Sequence, residues 1–183
     1  MKHGFKAKAN RIALHVRNEL GLNAIDPLNP FEVCDHYELD VLPLSRLGEE
    51  AAHFLNDGVS YFSAVTVPCG MRRAIVHNDR HSPVRQHSNI MHELAHGFLG
   101  HQPCQAFDCN GERAYKSGLE QEANFLAGCL LITNEASWHI VKNGLTSRAA
   151  AIYEVSRSML EWRLRMSGAR KRGERYSRKV ASG

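Results

Sequence analysis

Apolar residues recur at helical spacing early in the chain: Ile12, Ala13, Val16 and Leu20 share one face, and the run ends at Gly21. Residues 8 to 20 therefore predict an amphipathic helix. Pro27 and Pro30 break the pattern, and Asn29 before Pro30 supplies a cap and a first helical residue for a second, short helix through about Tyr37. The period then changes. Leu39 to Leu44, Tyr61 to Val67 and Arg73 to His77 read as strands, the last two joined by a turn around Pro68, Cys69 and Gly70. From Ser82-Pro83 a helical pattern runs to Gly100, and another opens at Ser117 and runs to about Leu131. Shorter helices are expected over 135 to 142, 147 to 154 and 157 to 166, with Asn143-Gly144 and Ser167-Gly168 as stops. The whole predicts an α+β fold in which a small antiparallel sheet packs on a helical bundle. No repeat or linker interrupts it, so residues 1–169 read as one domain and 170–183 as a tail.

Composition narrows this little: 183 residues, 43% hydrophobic and 23% charged, suit one globular domain. No run of about 18 apolar residues suggests a membrane span, and the opening Met1-Lys2-His3-Gly4-Phe5-Lys6 leads into an amphipathic segment, so a cytoplasmic, unanchored protein is expected. Cys34, Cys69, Cys104, Cys109 and Cys129 are odd in number and irregularly spaced, which favours reduced thiols over a disulfide framework. Charge is uneven. Residues 157–183 hold nine Lys or Arg against Glu161 and Glu174, a local +7 in a chain of net +4, which leaves about −3 for the rest. Such a run reads first as a solvated, irregular tail and only second as a contact for nucleic acid or an acidic partner.

The chemistry is concentrated in His92-Glu93-Leu94-Ala95-His96. Four residues on a helix are about one turn, so both imidazoles can reach one ion at roughly 2.0 to 2.1 Å. In a strand the same pair would lie more than about 10 Å apart, too far for one metal. Glu93 falls beside that ion, where a base for an attacking water is needed. A catalytic zinc needs a third protein ligand and an open position, and the helix starting at Ser117 offers two carboxylates. Glu120 and Glu122 are two apart and point to different sides of that helix. Phe125, Leu126, Cys129 and Leu130 mark its buried face, with Glu122 within about 50° of that face's centre and Glu120 about 110° away, so periodicity leans to Glu122. Glu120 instead shares a face with Asn124, a natural partner for a ligand histidine, and also fits a capping box with Ser117.

With Glu120-Gln121-Glu122-Ala123-Asn124-Phe125-Leu126-Ala127-Gly128-Cys129-Leu130-Leu131 following the histidine motif, the chain resembles the ImmA/IrrE family of bacterial and phage metallopeptidases, relatives of the gluzincins. The likeness extends through Ile75-Val76-His77-Asn78, Ser82-Pro83 with Arg85, Val155-Ser156, Trp162-Arg163 and Gly168-Ala169, most of residues 8 to 170. It implies a minimal zincin-like fold and a Zn2+ held by His92, His96 and Glu120. It further implies an endopeptidase in which Glu93 assists attack of zinc-bound water on a peptide bond. The implied substrate is a specific regulatory protein such as a helix-turn-helix repressor, in stress response or mobile-element control. Two departures stand out: the family's Phe-Thr before the first motif is Ser88-Asn89 here, and its closing Met-Pro is Ile132-Thr133.

An oxyanion donor is also needed, and Tyr115, His101, His77 and Tyr61 are the candidates. His77 and His81 are four apart but sit in a turn context, and Cys104 and Cys109 lack a second cysteine pair, so neither set predicts a further metal. The competing function is a metal-binding regulator that binds a partner protein, or DNA through Ile152 to Arg165 and the basic tail, without cleaving it. Residues 149–164 have a faint helix-turn-helix rhythm around Val155-Ser156, but the usual turn glycine is missing and core packing accounts for the pattern better.

Overall fold

The computed structural model describes residues 2–48, 62–70, 72–101 and 117–181, without the side chains of Ser117 and of 179–181. The elements run α1 (Phe5–Glu19), α2 (Pro30–His36), β1 (Asp40–Pro43), a 3-10 turn (Leu44–Arg46), β2 (Ala64–Cys69), β3 (Arg72–His77), α3 (Pro83–Phe98), α4 (Ser117–Leu131), α5 (Asn134–Lys142), α6 (Thr146–Ile152), α7 (Arg157–Met166) and α8 (Ala169–Ala181). Local signals account for several boundaries. The Asn29 side chain accepts from Phe31 N at 2.9 Å, and Gly21 ends the first helical segment in the left-handed region, at φ +70°.

The sheet corrects one expectation, because its order is β1-β3-β2 and it is mixed. β2 and β3 form the expected antiparallel hairpin, with Thr66 opposite Ile75, while β1 pairs with β3 in parallel, Val41 opposite Ile75. The cause is connectivity. β3 turns back from β2 and takes the central place, so its neighbours run in opposite directions. As the central strand, β3 buries Ala74, Ile75, Val76 and His77 without alternation. Ile75 joins the main core, and Val76 joins a small satellite of Leu44 with Leu42, Phe62, Val65 and Val67. Pro68, which has no N–H to donate, sits on edge strand β2, where it is tolerated. Tyr61, the expected start of this strand, lies outside the described residues.

Helix α4 is the axis of the bundle. Ala123, Phe125, Leu126, Ala127, Cys129, Leu130 and Leu131 are all buried, so past its first turns it is apolar on nearly every side. Phe5, Ala9, Ala13 and Val16 of α1 and Ile90, Met91, Leu94 and Ala95 of α3 belong to the same core, and each large side chain so buried contributes roughly 1.5 to 3 kcal/mol. Gly128 permits close approach of α7: a Cβ there would stand 2.5 Å from the Trp162 ring, so Gly128→Ala would force the helices apart.

The end of α4, at Ile132-Thr133, is closed by side chains. Arg17 donates to Leu131 O (3.4 Å) and Arg163 Nε to Ile132 O (2.9 Å), both from fully buried positions. Burial pushes Arg17 down to about 10 and lowers Arg163 as well. Thr133 then caps α5, its hydroxyl accepting from Ala136 N at 2.9 Å and donating to Ala24 O at 2.7 Å.

The segment expected as an irregular tail is largely helix α8. Ala169 and Gly173 face inward, Gly173 against Val141, while Tyr176 packs edge-on to Trp138 at 6.0 Å and Arg172 lies 4.0 Å above the Trp138 ring. Apolar contacts on one face order a segment that its charge alone would leave solvated, and Arg170 pairs with Glu161 of α7. Cys34, Cys69 and Cys129 are free thiols, and burial pushes Cys34 up to about 12, which makes it inert; Cys104 and Cys109 lie outside the described residues. Among the described residues no helix is long and apolar enough to cross a membrane.

Candidate metal centre

Helix α3 starts at Ser82-Pro83 and buries Ile90, Met91, Leu94 and Ala95. Packing of that stripe against the core fixes the helix's rotation and turns His92 and His96, one turn apart, toward the start of α4. Their Nε2 atoms are 3.1 Å apart. Glu120 reaches both, with Oε2 at 3.2 Å from His92 Nε2 and Oε1 at 3.4 Å from His96 Nε2. The two Glu120 distances run to different oxygens, and each donor pair lies near the separation of about 3.3 Å that ligand bonds of about 2.0 to 2.1 Å imply in a tetrahedral ion. The donor set therefore fits a tetrahedral ion of zinc's size. Among the described residues it is the one group of three or more His, Cys, Asp or Glu that could hold a metal. The side chains are a fifth to a quarter exposed, open enough for exchange with solvent. Burial first, and then neighbouring His92, lowers the pKa of His96, which favours the neutral ring a metal requires.

The two carboxylates of α4 divide as the helical period dictates. Glu120 faces the Nε2 atoms, and Glu122 faces away, its Oε2 3.9 Å from His101 Nε2. Glu122 is the more buried of the two, as periodicity indicated, but it is buried against His101. Asn124 is exposed, and the ring nitrogen behind His96 meets His101 instead, Nδ1 to Nδ1 at 3.0 Å. His101 thus lies behind a prospective ligand and away from its Nε2. Of the other oxyanion candidates, His77 is buried at the end of β3 beside Phe31, with their ring centroids 6.0 Å apart, and Tyr61 and Tyr115 lie outside the described residues.

Glu93 is held from the sheet. Thr66 of β2 donates its backbone N–H (2.9 Å) and its hydroxyl (2.7 Å) to Glu93 Oε2. Thr66 N–H points away from β3, since residues opposite each other in an antiparallel pair alternate between bonding inward and outward. Sequence reasoning passed over Thr66, whose one signal is a polar residue flanked by Val65 and Val67 on an edge strand. Asn89, one of the departures before the motif, bonds His81 Nδ1 at 3.1 Å and ties α3 to the turn after β3.

A family model described as the IrrE N-terminal-like domain of the M78 peptidases matches residues 45–165. The chain belongs to the M78 peptidase family. The match takes in the sheet hairpin, α3, α4, α5, α6 and nearly all of α7, so both halves of the donor cluster fall inside it. M78 proteins are metallopeptidases, so the function is of that kind and the substrate is a protein or peptide. No curated protein matches the chain. The helices proposed for DNA contact lie in or next to this domain, and α7 turns Leu160, Arg163 and Leu164 into the core, as the packing explanation requires.

Proposed function

We propose that this M78 protein is a zinc-dependent endopeptidase of the cytoplasm that cleaves a specific regulatory protein, such as a helix-turn-helix repressor controlling a stress response or a mobile element. The reading is carried by the convergence of His92, His96 and Glu120, with Glu93 next to His92 on the same helix and held by Thr66. A protein that merely binds metal has no use for a carboxylate fixed at that point. A zinc ion held there would supply Lewis acidity for the scissile carbonyl and for water.

The chain's own residues do the rest. Thr66 binds Glu93 through Oε2, which leaves Oε1 to take the proton from the water as its oxygen bonds to the carbonyl carbon. Glu93 then gives that proton to the amide nitrogen as the C–N bond breaks, releasing an amine and a carboxylic acid. The repressor as substrate rests on the family resemblance.

Metal analysis and cleavage of a candidate helix-turn-helix repressor test the two halves separately. His92→Ala and Glu120→Ala should each lose bound zinc, and full zinc content in the Glu120 variant would move the third ligand to Glu122. Glu93→Gln should keep its zinc and lose cleavage by roughly two to four orders of magnitude. Identical behaviour of Glu93→Gln and the native protein would leave the non-proteolytic regulator as the better reading.

A further inference from the structure

Helix α3 ends in a way that places a second histidine behind the first. Gly100 takes a left-handed conformation at φ +66°, its N–H bonds to Gly97 O (3.0 Å), and His101 N–H bonds to His96 O (3.0 Å). This is the paired bonding of a Schellman ending, which folds the second residue beyond the helix back onto the third residue from its end. That contact is usually apolar. Here it joins two imidazoles, His96 Nδ1 to His101 Nδ1 at 3.0 Å, with Glu122 Oε2 3.9 Å beyond on the Nε2 side of His101. The His101 side chain is only 8% exposed, so solvent competes little for its nitrogens.

We infer that His101, backed by Glu122, is the positioning residue that fixes the ring and tautomer of His96 for metal binding. This rests on the reading of His92, His96 and Glu120 as metal ligands. If Nε2 of His96 gives its lone pair to the ion, the ring's one proton is on Nδ1, and only an acceptor can face it. His101 Nδ1 must then be unprotonated, which puts the His101 proton on Nε2, toward the Glu122 carboxylate. One choice at the metal thus sets the direction of the whole row. Ligand histidines ordinarily donate their second nitrogen to a carboxylate, a carbonyl or water. In this chain a second histidine takes that place, and the carboxylate stands one residue further back.

The test measures zinc affinity by competition with a chromophoric chelator. The native protein, His101→Leu, His101→Asn, Glu122→Gln and Glu122→Leu are compared, with circular dichroism as the check on folding. His101→Leu should weaken zinc binding by roughly 10 to 100-fold and shift the visible bands of the cobalt(II) protein. His101→Asn, whose amide oxygen can accept in place of Nδ1, should recover most of the affinity. Glu122→Leu should fall between native and His101→Leu, and Glu122→Gln should stay near native. Long-range proton–nitrogen NMR of the zinc-loaded native protein needs no variant and should put the proton on Nδ1 of His96 and on Nε2 of His101. Native zinc affinity and cobalt spectrum in His101→Leu, or a proton on Nδ1 of His101, would overturn the inference while leaving the metal site standing. A native protein that folds but binds no zinc would overturn the metal site itself, and this inference with it.

Discussion

The two ends of helix α4 use polar groups in opposite ways. At its start, Glu120 and Glu122 are partly exposed and meet the histidines of α3 side chain to side chain. At its finish, Arg17 and Arg163 are fully buried and bond mainly to backbone carbonyls, Leu131 O and Ile132 O among them. Buried cations directed at carbonyls close a helix end that no water reaches, whereas groups that can rearrange around an ion must keep some access to solvent. One end of the helix is therefore sealed by buried cations and the other gathers the donor cluster, with the apolar turns of Phe125 to Leu130 between them.

The sharpest way to break this division is to disturb each end and read the other. Arg163→Met removes the donors to Ile132 O and to Asn134 Oδ1 and should cost about 3 kcal/mol in chemical denaturation. Zinc stoichiometry should be unchanged wherever the variant is folded, and loss of zinc from folded Arg163→Met would show that the two ends are coupled. Thr66→Val disturbs the other end. It removes the hydroxyl bond to Glu93 but keeps the backbone bond, so cleavage of the protein substrate should slow by about tenfold, near 1.4 kcal/mol in the barrier, with zinc content and melting midpoint unchanged. Thr66→Ser should restore the rate, and equal rates in Thr66→Val and native protein would remove Thr66 from the account.

Most of the fold was legible because it follows local signals. The Asn29-Pro30 and Ser82-Pro83 starts and the stops at Gly21, Gly100 and Gly144 lie at or within about two residues of the observed helix ends. The parallel pairing of β1 was not legible, since alternation shows which residues form a strand and not which neighbour it joins. Helix α8 was missed for a related reason: its order comes from Trp138, far back in the chain, and not from its own composition. At the site, the histidine pair could be read from spacing alone. Periodicity set Glu122 nearer the buried face, and it is the less exposed of the two, but the period could not say what it meets, because its partner His101 reaches it only through the turn at Gly100. Thr66 was hidden for a similar reason, since a contact between an edge strand and a helix leaves no spacing rule in the chain.

His77 belongs to neither end of α4 and gives the smallest expected effect. It is buried with Nδ1 lacking a hydrogen-bond partner among the described residues, and burial lowers its pKa despite the opposing pull of Asp79. The folded protein therefore resists protonating it, while the unfolded chain takes up the proton near pH 6.5. Where the unfolded state binds more protons, stability rises with pH. The contribution is full above about pH 6.5 and is lost progressively as pH falls from there toward the folded value. Urea midpoints of the metal-free protein should accordingly drop between pH 7.5 and 5.5, and by less in His77→Phe, whose ring keeps the contact with Phe31. His96 is shifted in the same direction and is common to both proteins, so the difference between the two curves isolates His77. Parallel curves would assign the whole acid sensitivity to other groups, His96 first among them.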